Sequence, residues 1–450
     1  MTAEAAWAFL LPDSLRSLTV TLGDHPKRGG QDERHARRAR RQAKGRQAAS
    51  EPASRRKSRH YGPQRQARGR SERREEVVDK GIAARIERLI DGIGDISAPV
   101  KRALRAVPRH QFIPPVALVA DDTTAIIDRE ADPAAWFDAV YSRLPIVTQL
   151  DDGATDLRDE AGGLYTSSNS APGTVTDFLD LLDLSPGHRV LEIGTGTGWT
   201  AALLSHLVGA QHVTSIEVDA ALAEQAAKNL SDAGSHPHLI TGDGAEGSPE
   251  RAPFDRVHVT CGIRTVPYAW VEQTRPGGRI VLPYDPGFAT GHAALRLTVK
   301  PDGTASGKFA EYAAYMMMRS QRIAANAERG PDREARTRID PRTITEAPSG
   351  AALAMSALTG LYLSTGRQDG RLLTWLSDPA VPAQWTLITH VPGADDFEVY
   401  QVGDRPLWDE VTDAYFRWVD WGEPGRHRFG MTVTPGGQRV WLDTPQQAVE

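Results

Sequence analysis

Hydrophobic residues in the middle of the chain recur first at helical spacing and then in short runs typical of buried strands. The helical face begins after Thr174 and comprises Val175, Phe178, Leu179, Leu181 and Leu182. Five apolar runs follow at residues 189–193, 213–218, 238–241, 254–260 and 279–283, and helical patterns over 200–208 and 220–230 separate the first three. Strands that alternate with helices predict an α/β fold with a doubly wound, Rossmann-like parallel sheet.

The segments on either side of this pattern differ from it and from each other. Residues 77–163 carry apolar residues at helical spacing, then an irregular stretch to Leu150 and an acidic loop at 151–163. Six of the ten tryptophans lie between Trp375 and Trp441, where short alternating runs flank a turn at 434–437. We predict a helical segment over 77–163, an α/β domain over 164–345 and a small, mostly β domain over 346–450.

Charge separates the N-terminus from the rest of the chain. Residues 27–75 contain 18 Lys/Arg against 5 Asp/Glu, a net charge of +13, although the whole chain has a net charge of −5. This stretch has too few apolar residues to offset the entropy of folding, so we predict that residues 1–76 form a disordered basic tail. No methionine lies between Met1 and Met316, so a translation start at Val77 or Val78 would remove the basic run.

Composition excludes several classes of protein. The single cysteine, Cys261, excludes an intramolecular disulfide and a cysteine-based zinc site, and it is typical of a cytoplasmic protein. No apolar run approaches the roughly 18 residues that span a bilayer. Glu4 stands where a signal peptide carries positive charge. We therefore expect a cytoplasmic protein with no metal site and no membrane partner.

A glycine-rich loop at residues 194–198 is the sharpest motif. The strand before it carries Glu192, and Gly194, Gly196 and Gly198 let the backbone turn beneath a ligand at the start of a helix. From Gly196 the loop fits the dinucleotide pattern G-x-G-x-x-A. From Gly194 it fits E-x-G-x-G-x-G, the pattern of methyltransferases that use S-adenosylmethionine. The loop alone leaves both cofactors open.

Three further observations bear on the choice of cofactor. Glu217 ends the second strand, where a carboxylate accepts hydrogen bonds from the ribose of either cofactor. Asp243, followed by Gly244 after the third strand, can receive the exocyclic amine of adenine. None of the ten tyrosines is followed four residues later by lysine, the pair that a short-chain dehydrogenase needs. S-adenosylmethionine is therefore the predicted cofactor.

Several motifs around this loop together resemble the protein-L-isoaspartate O-methyltransferases. They are VLEIGTGTGW at 190–199, GDG at 242–244, APFD at 252–255, PGGRIVLP at 276–283, VPRHQFIP at 107–114 and SAP at 170–172. The resemblance implies a methyltransferase fold and contact of Ser170 with a protein or peptide substrate that bears aspartate or isoaspartate. It also implies cofactor contacts at Glu192, Gly194, Thr195, Gly196, Gly198, Glu217, Asp243 and Gly244.

Methyl transfer to an aspartyl or isoaspartyl carboxylate requires no general base. The reference pKa of such a carboxyl is about 3.9, so it is already ionised at pH 7. Catalysis then depends on holding one carboxylate oxygen in line with the methyl carbon. We predict that the Ser170 hydroxyl donates a hydrogen bond that orients the carboxylate. The alternative for Ser170 is a helix N-cap just before Pro172.

The chain departs from the family in three places. Residues 165–172 are YTSSNSAP where the family has IG-x-GQTIS-x-P, the acidic loop at 151–163 is inserted, and a long segment follows the core. This architecture is similar to actinobacterial homologues that methylate an aspartate of a ribosomal peptide beside peptide-maturation enzymes. We therefore favour a peptide-specific enzyme over general protein repair. For Tyr312, Tyr315 and the methionines at 316–318 we favour core filling over a soft lining for a peptide.

Two functions of other kinds stay open at this point. One is a nucleic-acid-associated methyltransferase that uses the basic tail, because arginine-rich segments neutralise phosphates. Tyr61 is the only aromatic residue of the basic stretch, so stacking on bases has little support. The other is a non-catalytic cofactor-binding module, against which the intact Glu217 and Asp243 positions argue. We do not expect nucleic acid to be a partner.

Overall fold

The computed structural model describes residues 81–120, 125–158, 162–288, 291–326 and 330–450. The basic tail predicted over 1–76 lies outside the described residues. Ala83–Glu450 belong to one compact unit, which contains the site described below. No helix within the described ranges has the length and apolar character needed to cross a bilayer.

The N-terminal part combines helices with a small sheet. Helices α1 (residues 81–93) and α2 (Ala98–Ala106) follow the predicted helical spacing. The prediction of an irregular stretch up to Leu150 is wrong. That stretch contains β1 (Val116–Val119), β2 (Ala125–Asp128), α3 (Pro133–Val140) and β3 (Ile146–Leu150). With β4 (Tyr165–Asn169) these strands form an antiparallel sheet of order β2-β1-β3-β4, so the predicted helical segment over 77–163 also contains strands.

A nine-stranded sheet forms the centre of the protein. Its order is β18-β17-β11-β10-β9-β8-β5-β6-β7. The strands are β5 (Val190–Ile193), β6 (Val213–Glu217), β7 (His238–Thr241), β8 (Phe254–Val259), β9 (Thr274–Tyr284), β10 (His292–Val299), β11 (Ala305–Ala313), β17 (Phe429–Thr434) and β18 (Gly437–Leu442). The five predicted strands correspond to β5–β9 and are parallel to one another. The other four strands pair antiparallel, so the sheet is mixed.

One helix precedes the parallel strands and three lie between them along the chain. They are α4 (Pro172–Leu182), α5 (Trp199–Val208), α6 (Ala220–Asp232) and α7 (Tyr268–Glu272). Four residues of the apolar face predicted for α4 are at most 2% exposed, namely Val175, Phe178, Leu179 and Leu182, whereas Leu181 is half-buried. Because α4 contacts β8 and β9, it fixes the position of the residues just before it, where β4 ends.

The C-terminal part adds a second antiparallel sheet of order β12-β16-β15-β14-β13. Its elements are β12 (Arg333–Thr337), α8 (Arg342–Thr345), α9 (Ser349–Thr359), β13 (Tyr362–Gln368), β14 (Arg371–Ser377), β15 (Trp385–His390), β16 (Phe397–Val402) and α10 (Leu407–Asp420). The predicted hairpin around residues 434–437 is confirmed as β17 and β18. β17 pairs with β11, and one hydrophobic core continues across residue 345, so the predicted boundary there does not coincide with a break in packing.

Candidate functional site

A cavity of about 320 Å³ lies at the carboxyl ends of β5, β6 and β8. Ligands of open α/β sheets bind at this edge. The side that we name the glycine-loop half is lined by residues 193–197, 199–200, 216–218 and 243–244. The side that we name the hydroxyl half is lined by residues 166–170, 315–320 and 322. The volume falls within the roughly 300–1,000 Å³ of small-molecule sites.

The glycine loop needs glycine where it passes β8. Gly194 has φ +94°, and a Cβ there would lie 2.6 Å from the Thr260 hydroxyl oxygen. Gly196 has φ +55°. The loop is tied to the sheet because the backbone N–H of Gly194 donates to the Ile216 carbonyl at 2.8 Å. A larger residue at position 194 would therefore strain the backbone and displace Thr260.

Glu217 places a carboxylate at the end of β6. One oxygen accepts a hydrogen bond from the Gly196 N–H at 2.8 Å, and the other accepts one from the Asp219 N–H at 3.0 Å. Burial raises the pKa of Glu217, and these two backbone donors oppose that shift. Each oxygen keeps a further lone pair. Glu217 can thus accept two hydrogen bonds from a ligand with adjacent hydroxyls.

Asp243 and Gly244 also line the glycine-loop half of the cavity. One oxygen of Asp243 accepts from the Ala245 N–H at 3.0 Å, and the side chain is otherwise exposed. A Cβ at Gly244 would lie 2.5 Å from the Ile193 side chain. The Gly244 carbonyl accepts from the Trp270 indole at 2.8 Å. This turn is therefore fixed in place, with an acceptor at the cavity.

Two of the predicted cofactor contacts do not line the cavity. Glu192 is fully buried behind the loop and accepts a hydrogen bond from the Ser215 hydroxyl at 2.5 Å. Ser215 is in turn 2.6 Å from the hydroxyl of Thr195, which does line the cavity. A Cβ at Gly198 would meet the Leu230 side chain at 3.1 Å. The structure thus places Glu192 and Gly198 as supports of the loop, whereas the other predicted residues lie at the cavity surface.

Ser170 lies in the hydroxyl half, directly after β4. It is not the N-cap of the following helix, because α4 has Ala171 at its N-cap without a side-chain capping bond. The backbone carbonyl of Ser170 accepts from the Arg109 guanidinium at 3.0 Å. The N-cap alternative is therefore excluded, and the hydroxyl is available to the cavity.

Arg109 holds the end of β4 in place through hydrogen bonds from its side chain. The side chain is 1% exposed. Its guanidinium donates to the Val140 carbonyl at 2.8 Å, the Asn169 side chain at 2.7 Å and the Asn169 carbonyl at 2.9 Å. Burial lowers the pKa of Arg109 to about 9, so it is still protonated at neutral pH. Arg109 stands in the motif VPRHQFIP, but its sequence position alone did not predict this role.

The segment after β11 lines the cavity as well as filling the core, where Met318 is buried. Tyr315 and the methionines at 316–318 line the cavity, together with Cys261. The N–H of Gly262 donates to the Met316 carbonyl at 2.8 Å, and the Met318 N–H donates to the Gly262 carbonyl at 3.0 Å. Tyr312, by contrast, is 40% exposed and is not among the lining residues. Backbone pairing thus draws three flexible thioethers to the hydroxyl half.

The inserted acidic loop is attached to the same segment by ion pairs. Asp152 contacts Arg319 at 2.8 Å and Arg322 at 2.6 Å, and both arginines line the cavity. The hydrogen bond from Arg322 lowers the pKa of Asp152. Arg319 also contacts Asp219, just after β6, at 3.1 Å.

The described residues hold no cluster of three or more His, Cys, Asp or Glu placed to bind a metal ion.

Comparison with known proteins identifies the family. The family model described as protein-L-isoaspartate(D-aspartate) O-methyltransferase matches residues 150–322, a range that contains every residue lining the cavity. A protein-L-isoaspartate O-methyltransferase of Methanothrix thermoacetophila is 36% identical over 202 residues, which cover 44% of this chain and 80% of the relative. The chain belongs to this family.

Two other protein-L-isoaspartate O-methyltransferases match different shares of the chain. The relative from Pyrococcus horikoshii is 45% identical over 115 residues, which cover 25% of this chain, so the chain spans about half (52%) of that relative's length. A solved structure of the same name has a TM-score of 0.48 and 23% identity, and it covers 80% of this chain and 100% of its own. The family resemblance predicted from the motifs is confirmed.

Proposed function

We propose that this protein is an S-adenosylmethionine-dependent carboxyl O-methyltransferase that acts on an aspartyl or isoaspartyl side chain. The observation that supports this most is the pairing of two chemically different halves in one cavity. The glycine-loop half presents the carboxylates of Glu217 and Asp243, and the hydroxyl half presents donors from Ser170 and Tyr315. A nucleoside fits the first half and a substrate carboxylate fits the second.

The residues of the glycine-loop half fit the proposed cofactor. Glu217 would accept hydrogen bonds from the ribose hydroxyls, since both oxygens keep a free lone pair beside their backbone donors. Asp243 would accept the exocyclic amine of adenine through the oxygen not used by Ala245. When bound, S-adenosylmethionine supplies a methyl group activated by a positively charged sulfur. Glu192 and Gly198 contribute by holding the loop.

The chain's own residues then need only bind and orient the substrate. The carboxylate arrives ionised at pH 7, because its reference pKa is about 3.9. Ser170, fixed by the bond from Arg109 to its carbonyl, donates a hydrogen bond to that carboxylate. Orientation of this kind can contribute roughly 7–11 kcal/mol. Catalysis thus arises from positioning, without proton transfer by the protein.

We further propose that the substrate is one dedicated ribosomal peptide and not damaged protein in general. The hydroxyl half carries the flexible methionines at 316–318 and is bounded by the ion pairs between the inserted loop and Arg319 and Arg322. Methylation turns the side-chain carboxylate into an ester. The following backbone nitrogen then attacks the ester carbonyl, methanol leaves, and a succinimide forms that water opens to isoaspartate. Maturation enzymes that act on the same peptide are the proposed partners, and a cytoplasmic location fits the lone Cys261.

The test of substrate class is mass spectrometry of peptides incubated with the protein and S-adenosylmethionine. Candidate precursor peptides that contain aspartate are compared with several unrelated isoaspartyl peptides. We expect one candidate to gain a methyl group and later to lose methanol, while the unrelated peptides react slowly. Rapid methylation of all the isoaspartyl peptides would contradict the dedicated substrate and leave general repair.

A nucleic-acid role for the basic tail is tested separately. DNA binding is measured against salt concentration for the full chain and for a chain that lacks residues 1–75. If only the full chain binds, the tail carries the affinity. Methylation of a peptide that does not change when the tail is removed would assign the chemistry to the remaining residues.

A further inference from the structure

A buried phenol in the hydroxyl half points to a ligand atom. Tyr315 is 9% exposed and lines the cavity. The Ser170 side chain lies near its hydroxyl, but the two do not form a hydrogen bond of good geometry, and no other described residue pairs with that hydroxyl. Buried polar groups are nearly always satisfied, so a fixed donor left free in a cavity calls for an explanation. A ligand that accepts hydrogen bonds supplies one.

The position of the phenol is fixed by its surroundings. The Tyr315 backbone N–H donates to His292 Nδ1 at 3.1 Å. The ring packs against Phe178, with 5.4 Å between the ring centroids. Phe178 lies on α4, which begins two residues after Ser170. Because the ring and the backbone are both held, the hydroxyl stays beside the side chain of Ser170, which also lines the cavity.

We propose that Tyr315 binds the substrate carboxylate together with Ser170, through the carboxylate oxygen that does not attack. This rests on the proposed function. The attacking oxygen forms the new bond to the methyl carbon while the bond from that carbon to sulfur breaks and leaves its electron pair on sulfur. The second oxygen accepts hydrogen bonds from the two hydroxyls. Two donors on one oxygen fix the plane of the carboxylate.

The chemistry of the phenol suits this task. Burial raises the pKa of Tyr315, and the nearby Ser170 side chain opposes that shift only in part. Burial likewise raises the pKa of the neighbouring Cys261 thiol. Tyr315 therefore stays protonated as a donor at neutral pH, and neither group brings negative charge to the carboxylate.

The kinetic signature of this contact is specific. The carboxylate loses negative charge as the ester forms, so a hydrogen bond to it stabilises the bound substrate at least as strongly as the transition state. Removal of such a contact raises KM and changes kcat little. A merely structural role of Tyr315 would instead change stability and cofactor affinity.

The test uses Tyr315→Phe, which removes one oxygen and keeps the ring, with Tyr312→Phe as the matched control on the exposed tyrosine. The first measurement is calorimetric binding of succinate, a dicarboxylate, to protein loaded with S-adenosylhomocysteine. The second is methylation of an isoaspartyl peptide. We expect Y315F to weaken succinate binding and to raise KM by about tenfold or more, as for a lost bond to a charged group. The affinity of Y315F for S-adenosylhomocysteine should not change. For Y312F, neither the affinity for succinate nor the KM should change.

The results separate the proposed role of Tyr315 from the proposed function. Equal succinate affinity of Y315F and the wild type, or no succinate binding by the wild type, overturns the role of Tyr315. Succinate binding that depends on Tyr315, without methylation of any aspartyl or isoaspartyl peptide, overturns the proposed function and leaves a carboxylate site. A crystal structure of the wild type with S-adenosylhomocysteine and succinate needs no variant. It should show a carboxylate oxygen at hydrogen-bond distance from Tyr315, and succinate bound elsewhere would contradict the proposal.

Discussion

The two halves of the cavity are held together in different ways. The glycine-loop half comes from consecutive strand ends, and backbone N–H groups fix its main carboxylate, Glu217. The hydroxyl half joins distant parts of the chain through buried or paired side chains. Arg109 bonds to Asn169, and Arg322 bonds to Asp152 across 170 positions of sequence. A local motif can thus serve a common cofactor, whereas the non-local half can vary and set the choice of substrate.

The largest effect should follow from removing the guanidinium below the hydroxyl half. Arg109→Met leaves the carbonyls of Val140, Asn169 and Ser170 without their donor. We expect a loss of about 3 kcal/mol in the free energy of unfolding, since each buried unsatisfied group costs about 1–3 kcal/mol. Urea unfolding measures this, with Arg105→Met on the exposed face of α2 as control. Equal stability of the two variants would show that Arg109 does not hold the hydroxyl half.

On the other side of the cavity, Glu217→Ala should weaken cofactor binding. Loss of a carboxylate that accepts hydrogen bonds from a ligand should raise the Kd of S-adenosylhomocysteine by about 10–150-fold. Calorimetry measures this Kd for the Glu217 variant and for Glu224→Ala, which changes an exposed glutamate on α6. An unchanged Kd for the Glu217 variant would mean that the glycine-loop half does not hold the ribose.

Ser170→Ala tests whether the halves act independently. We expect kcat/KM to fall by about tenfold or more, because a hydrogen bond to a charged group is lost. The Kd of S-adenosylhomocysteine should stay within about twofold, since Ser170 belongs to the hydroxyl half. Steady-state kinetics and calorimetry on the same preparation measure both. If neither value changes, the orienting role of Ser170 is wrong.

A smaller effect should separate two neighbouring glycines. A Cβ at Gly244 would lie 2.5 Å from the Ile193 side chain, whereas a Cβ at Gly242 meets nothing within 4 Å. Overpacking costs about 1 kcal/mol at its lower end. Gly244→Ala should therefore weaken cofactor binding by about fivefold, and Gly242→Ala should leave it unchanged. Similar affinities of the two variants would argue against close packing at this turn.

The smallest effect concerns pH. Burial raises the pKa of Glu217 above that of an exposed glutamate. Cofactor affinity that needs the ionised carboxylate is present above this raised pKa and falls as the pH drops through it. Titration of the S-adenosylhomocysteine Kd from neutral to acidic pH should show a decline in the wild type, at a higher pH than an exposed glutamate would give. The decline should be absent in Glu217→Ala, and a decline of equal size there would assign it to another group.

Most of the glycine-loop half could be predicted from the sequence. Apolar runs that end in a glycine or an acidic residue predict the strands β5–β8, the turn at Gly194 and the carboxylates of Glu217 and Asp243. This works because strand, loop and helix are adjacent in sequence. Two predicted contacts, Glu192 and Gly198, do not line the cavity but support the loop, since a residue next to the loop can point away from the cavity. Local patterns thus specify a local site.

Apart from Ser170, the hydroxyl half escaped prediction for physical reasons. The strands β1–β3 are four or five residues long and mostly apolar, so they lack the alternation that marks a strand. Tyr315 looks like a core residue in sequence, and its place at the cavity depends on pairing of the segment after β11 with Gly262. Arg109 gains its role only when β4 is folded against it. Such long-range pairings leave no periodic signal in the sequence.

Transfer of a methyl group to a carboxylate oxygen in this cavity can be tested through the chemical stability of the product. Protein and S-adenosylmethionine with a radiolabelled methyl group are incubated with an aspartyl or isoaspartyl peptide, and the product is then exposed to mild alkali. We expect the label to enter the peptide and to be released as volatile methanol, as a methyl ester requires. A label that resists alkali, or no transfer to any such peptide, would contradict it.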